Sequence, residues 1–87
     1  MTGQWQERQR PARLEGRYEF ASYRQLRDFL DQAAELSETE GLYPDLGFGR
    51  DYVNVTISAE DGAEELAASQ RDFAQRLDRL SDAVVAA

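Results

Sequence analysis

The stretch Arg13-Leu14-Glu15-Gly16-Arg17-Tyr18-Glu19-Phe20-Ala21-Ser22-Tyr23-Arg24-Gln25-Leu26-Arg27-Asp28-Phe29-Leu30 decides how the rest of the chain is read. Its first half alternates. Leu14, Gly16, Tyr18 and Phe20 fall on one face, with Arg13, Glu15, Arg17 and Glu19 on the other, which is the period of a half-buried strand. Ser22 then offers a hydroxyl to a helix N-terminus. Tyr23, Leu26, Phe29, Leu30, Ala33 and Leu36 follow at helical spacing and make one apolar stripe. Gly41 and Pro44 predict where that helix stops, since glycine takes the left-handed turn and proline cannot continue the ladder.

The second half repeats the pattern. Val53, Val55 and Ile57 alternate with Tyr52, Asn54, Thr56 and Ser58 and predict a second strand. Glu60-Asp61-Gly62 marks a turn. Ser69, with Asp72 three residues on, has the form of a capping box, and Phe73, Leu77, Leu80 and Val84 supply the stripe of a last helix. Glu64 to Ala68 fits either a loop or an early helical turn. Between the halves, Gly41 to Gly49 reads as an unusually apolar loop, with Phe48 bracketed by Gly47 and Gly49. Residues 1–12 read as a polar N-terminal arm and 13–87 as a single domain. Trp5 is out of place in a loose arm unless it docks on something. The fold class expected is α+β, an antiparallel sheet of three to four strands with two helices packed on one face. Its core is Val53, Val55, Ile57, Leu26, Phe29, Leu30, Phe73 and Leu77.

The 87 residues include no histidine and no cysteine. That removes the commonest base near neutral pH, the thiolate nucleophile, redox pairs and zinc sites. Carboxylate or tyrosine chemistry remains, or none, and a chain this small then reads first as a binding protein. Asp28, Asp31 and Glu35 line the polar side of the first helix without the loop geometry of a cation site, so no metal and no cofactor are expected. The net charge of −7 argues against nucleic acid as a partner. No stretch approaches the ~20 apolar residues of a membrane span, and the first residues are not a signal peptide. The compartment expected is cytoplasmic. Every positive residue is arginine. Arg8, Arg10 and Arg13 crowd the N-terminal region as forks suited to carboxylates, although an arginine-favouring genome gives the same usage. A small core without staples and an exposed strand edge point to a homodimer, with dimer and tetramer both open.

The run Leu14-x-x-x-Tyr18-x-Phe20-x-x-Tyr23, then Phe29-Leu30, Ala33 and Leu36, resembles the pterin-4a-carbinolamine dehydratases. Pro44-Asp45, Val53-x-Val55-x-Ile57 and Asp72-Phe73-Ala74 with Leu77-Asp78 agree with it in order and spacing. The resemblance implies an active site built on a His-His-Pro element after the first helix, an aromatic residue beyond it, and a further histidine after the next strand. Here those places hold Leu42-Tyr43-Pro44, Arg50 with Tyr52 close by, and Ala59-Glu60. Glu38 stands at the family's acidic residue, and the aspartate that opens the last helix aligns with Asp72 in one register and with Gln70 in another. Leucine moves no proton, and tyrosine with an ordinary pKa of about 10 is a poor substitute. The scaffold is kept and the catalysts are gone, so the chain is read as a non-enzyme.

Within that superfamily the chain is similar to a non-catalytic branch, the Rubisco assembly factors of α-carboxysomes. Tyr-Pro-Asp where His-His-Pro is expected fits that branch, as does the block Phe48-Gly49-Arg50-Asp51-Tyr52-Val53-Asn54. The resemblance implies a chaperone in the cytoplasm, in association with the carboxysome, whose partner is the Rubisco large subunit. Tyr43, Pro44, Asp45, Phe48, Arg50 and Tyr52 are the candidate contacts, with Arg8, Arg10 and Arg13 as a second site. Two aromatics in one loop with charged neighbours have the make-up of an interface anchor with a polar rim. A residual dehydratase working through Glu38, Tyr43 and Glu60 is the alternative, and a dimerisation or adaptor module is the third reading.

Overall fold

A computed structural model describes residues 5–9, 12–60 and 64–86. The elements run β1 (Gln6–Arg8), β2 (Arg13–Glu19), α1 (Tyr23–Glu40), β3 (Asp45–Phe48), β4 (Tyr52–Ser58) and α2 (Ala68–Ala86). The strands form one antiparallel sheet in the order β1-β2-β4-β3. The expected α+β class is therefore found, with the longest pairing between β2 and β4, from Arg13 opposite Ser58 to Glu19 opposite Tyr52. Phe20 N–H donates to Asp51 O at 2.8 Å and Ala59 N–H to Ala12 O at 2.9 Å, which carries that ladder beyond the strand ends.

The alternation fixes which face is buried. Leu14, Tyr18, Phe20, Val53, Val55 and Ile57 meet Leu26, Phe29 and Ala33 of α1 and Phe73, Ala74, Leu77 and Val84 of α2 in one core. Phe29 stands 5.0 Å from the Tyr18 ring and 5.2 Å from Phe20, centroid to centroid. Of the expected core only Leu30 is half-buried. Full burial of one such side chain is worth about 1.5–3 kcal/mol, so this cluster is the main source of stability.

The helix ends follow local chemistry. Ser22 accepts from Gln25 N at 3.2 Å while Ala21 N–H donates to Gln25 Oε1 at 3.0 Å, a reciprocal cap. Gly41 closes α1 at φ 70°, and its N–H donates to Ser37 O at 2.8 Å. At α2 the expected Ser69 cap is corrected. The helix opens at Ala68, and Gln70 does the capping, accepting from Ala67 N at 2.9 Å and donating to Ser58 O at 2.6 Å. A buried glutamine long enough to reach both groups satisfies them better than an exposed serine.

Two further expectations change. Asp45–Phe48, read as loop, is the edge strand β3, because β4 offers a free ladder and Gly49 N–H closes the hairpin on Tyr52 O at 3.0 Å. Gln6–Arg8, read as part of a loose arm, is strand β1. It is held by Trp5, which lies on Gly16, meets Tyr18 edge-on at 6.0 Å, and donates from Nε1 to Asp78 Oδ1 at 2.9 Å. Tyr18 OH donates to the same oxygen at 2.6 Å. Burial and the adjoining Asp78 carboxylate push the Tyr18 phenol far above its ordinary value. Arg71 of α2 adds a two-pronged contact to Glu7 at 2.7 and 3.0 Å.

Candidate functional site

The expected contact residues separate into two regions of the surface. The first is the segment from the end of α1 to the β3–β4 hairpin. Tyr43 is 73% exposed and Phe48 56%, the largest apolar exposures among the described residues, with Leu46 at 38%. Register explains the pair on β3. Leu46 lies opposite Val55 and Phe48 opposite Val53, so both point to the helix side of the sheet yet stand clear of the helices. Pro44 is half-buried and holds the chain as it enters β3. Arg50 stands exposed at the hairpin tip.

The second region is the sheet face turned away from both helices. Asp45 and Tyr52 belong here, not with the loop aromatics, because they occupy the outward positions of β3 and β4. Arg8 and Arg13 are also here. Their Nε atoms donate to the two oxygens of Glu15 at 3.1 and 2.7 Å, and together they hold the Glu15 carboxyl below its usual range, Arg13 more strongly than Arg8. Arg10 lies outside the described residues. Sequence reasoning put Arg17 and Asn54 on this face without assigning them to the site. The structure places the Arg17 guanidinium 4.2 Å from the Tyr52 ring centroid, with Nη1 donating to Asn54 Oδ1 at 3.3 Å. A cross-strand reading of the register, Arg17 opposite Asn54 and Glu19 opposite Tyr52, was the signal that could have found them.

Three ionisable residues carried over from the dehydratase pattern lie at the surface. Glu38, Tyr43 and Glu60 are all solvent-exposed. Leu42 is half-buried as apolar packing. Of the two residues that the alternative registers offer at the last helix, Gln70 faces inward as the α2 cap and Asp72 faces solvent. Among the described residues no group of three carboxylates could hold a metal ion, and no helix is long and apolar enough to cross a membrane.

Comparison with known proteins fixes the lineage. The profile of the family described as pterin 4 alpha carbinolamine dehydratase matches residues 1–80. The chain belongs to that family. Among solved structures it is similar to a pterin dehydratase-like protein described as a RuBisCO assembly factor in the alpha-carboxysome, with 42% identity over 88% of each chain and a TM-score of 0.77. It is similar also to a transcriptional coactivator/pterin dehydratase from Brucella melitensis. That likeness has a TM-score of 0.79 over 88% of this chain and 81% of the other, but at 18% identity it speaks for the fold alone. No curated protein matches. The family resemblance read from Leu14 to Asp78 is thus borne out, and this member carries Leu42-Tyr43-Pro44 in place of the histidine element that the resemblance implied.

Proposed function

We propose that this protein is a non-catalytic assembly chaperone for Rubisco in a carboxysome-bearing cell, binding large subunits transiently before the holoenzyme is complete. The observation that carries this reading is the 42% identity, over 88% of both chains, to a protein described as a RuBisCO assembly factor. The lack of histidine in the whole chain supports the non-enzymatic part. Dehydration of a carbinolamine needs groups that shuttle a proton around an enclosed substrate, and Glu38, Tyr43 and Glu60 all stand exposed to solvent.

An unassembled large subunit exposes apolar and charged interfaces that must be covered and then released. Tyr43 and Phe48 supply apolar cover, with Pro44 and Arg50 at their margin. Asp45, Tyr52, Arg8 and Arg13 supply polar contacts on the outer sheet face, and Arg10 is assigned to the same N-terminal site. Arginine contacts of this kind are screened by salt and so are readily reversed. A cytoplasmic location beside the carboxysome follows from the same reading.

A homodimer is part of the proposal. All of β3 is exposed at the sheet edge with no lysine or arginine to guard it, whereas the β1 edge carries Glu7 and Arg8. Pairing through β3 would cover backbone groups and leave the Phe48 side chain facing its own side of the sheet. Light scattering at tens of micromolar should give twice the monomer mass, and a stable monomer there would end this part of the reading. For the client itself the test is native mass spectrometry of the tagged protein drawn from cells making Rubisco. Complexes with large subunits that lack small subunits are expected, and exclusive recovery of complete holoenzyme, or of no Rubisco, would refute the role.

A further inference from the structure

The outer sheet face holds an ordered cluster of side chains built around Arg17. Tyr52 is fixed first. A side chain on Gly49 would collide with the Tyr52 ring, so the glycine at that position lets the ring lie flat against the hairpin. Arg17 then stacks on the ring at 4.2 Å and is tethered through Nη1 to Asn54. Glu19 stands further off, 3.6 Å from Nε, and Nη2 has no partner among the described residues. A long flexible side chain is thereby presented with little rotamer freedom left to lose, and its unused donors face outward.

Shape and charge agree with that presentation. Among the described residues β1 pairs with Arg13, Leu14 and Glu15 of β2. A trough of about 420 Å³ lies over the β2–β4 pairing on the outer face, bounded by Gln6, Glu15, Arg17, Asn54 and Thr56. On the β1–β2 half of the face, Arg8, Arg13 and Arg17 stand against Glu15 and Glu19. Positive charge prevails there in a chain whose net charge is −7. An acidic partner is repelled by the molecule as a whole and finds its favourable approach on the β1–β2 half of this face. Arginine and tyrosine are also the side chains that most often anchor protein interfaces.

We propose that the trough receives an extended, carboxylate-bearing segment of the client, and that Arg17, stacked on Tyr52, makes the ion pair that holds it. The proposal rests on the chaperone reading and adds to it the chemistry of the segment recognised. The probe for it is a synthetic peptide of alternating glutamate and valine, titrated at low salt into the ¹⁵N-labelled full chain. Shifts should cluster on the Arg17 side chain, the Asn54 amide and Thr56. Affinity should fall at least tenfold in Arg17→Glu and severalfold in Arg17→Lys, which keeps the charge and loses the planar stack. Arg17 is exposed, so both variants should fold and keep the wild-type amide spectrum elsewhere. Absence of shifts, shifts confined to the helices, equal affinity in Arg17→Lys, or shifts that follow protein concentration because a second copy covers the face would each overturn the proposal. Co-expression with Rubisco subunits separates the two levels. If the wild type raises assembly and Arg17→Glu does so equally, the ionic contact is wrong and the chaperone reading stands. If the wild type raises nothing, the chaperone reading fails, the client with it, and the titration decides whether the face takes acidic segments at all.

Discussion

A methyl group on residue 16 would stand 2.6 Å from Trp5 Cε3 and 2.8 Å from Cδ2 and Cζ3, closer than carbon atoms tolerate, so Gly16→Ala must dislodge the indole. The cost follows from what Trp5 does. An aromatic side chain of this size removes at least ~150 Å² from water, worth about 3.5–4 kcal/mol at ~25 cal/mol per Å². Its hydrogen bond to the Asp78 carboxylate adds about 1.5 kcal/mol. A ring that tilts without leaving loses roughly half of that sum, and alanine recovers ~0.4–1 kcal/mol by restricting the unfolded chain. The net loss expected is about 2 kcal/mol, a fall in melting temperature of roughly 8–16 °C for a domain of this size. Trp5 is the only tryptophan, so its emission should move to longer wavelength in the same variant. The decisive assay is a double-mutant cycle at one protein concentration. In a Trp5→Ala background the clash with the indole is gone, and Gly16→Ala should become neutral or stabilising. Equal destabilisation in both backgrounds, or unchanged emission and melting in the single variant, would refute the docking of the indole on Gly16.

Other consequences concern the same anchor and the exposed aromatics. Tyr18→Phe removes one donor from Asp78 and should cost about 1.5–2 kcal/mol at neutral pH. Because the native phenol is raised above the unfolded value of 10.0, its contribution is complete below that pH and fades as pH climbs toward the native value. An alkaline denaturation profile above pH 10 should therefore be flatter in Tyr18→Phe than in the wild type. Glu7 behaves in the opposite sense. The Arg71 hydrogen bonds hold its carboxyl below 4.5, so its contribution is complete above that pH and is lost as pH falls through the lower native value. Acid titration of Trp5 emission should show less loss of β1 docking in Glu7→Gln, from a weaker start. Tyr43→Ala with Phe48→Ala, both at exposed positions, should leave the melting temperature within ~0.5 kcal/mol equivalent of the wild type. The same pair should abolish most of any gain in assembled Rubisco, and an intact gain would move the client contact elsewhere.

How much of this was legible in the chain varies from element to element. The alternation from Leu14 to Phe20 and from Val53 to Ile57, and the stripe through Leu26, Phe29 and Ala33, specify the sheet and its buried face because one-sided burial demands those periods. β3 was not legible. Asp45-Leu46-Gly47-Phe48 has little strand propensity of its own and pairs because β4 lies beside it, a tertiary effect no local pattern carries. Nor was the strand at Gln6–Arg8, whose place is set by an indole filling the gap above Gly16, eleven residues along the chain. Trp5 was the one hint, as an aromatic that needed somewhere to dock. The Ser69 cap failed for a similar reason. Gln70 reaches both Ala67 N and Ser58 O, and only the folded chain brings Ser58 within range. At the candidate site, the chain alone groups Asp45 and Tyr52 with Tyr43 and Phe48. Strand register turns the first pair to the outer face and Phe48 to the helix side.

The most direct measurement is co-expression with Rubisco large and small subunits in a host that has neither. With this protein present, the yield of assembled, carboxylating enzyme should rise severalfold while the amount of large subunit synthesised stays constant. The purified protein should, in parallel, dehydrate a pterin carbinolamine no faster than the spontaneous reaction. An unchanged yield of assembled Rubisco, or turnover clearly above the spontaneous rate, would contradict a non-catalytic assembly role.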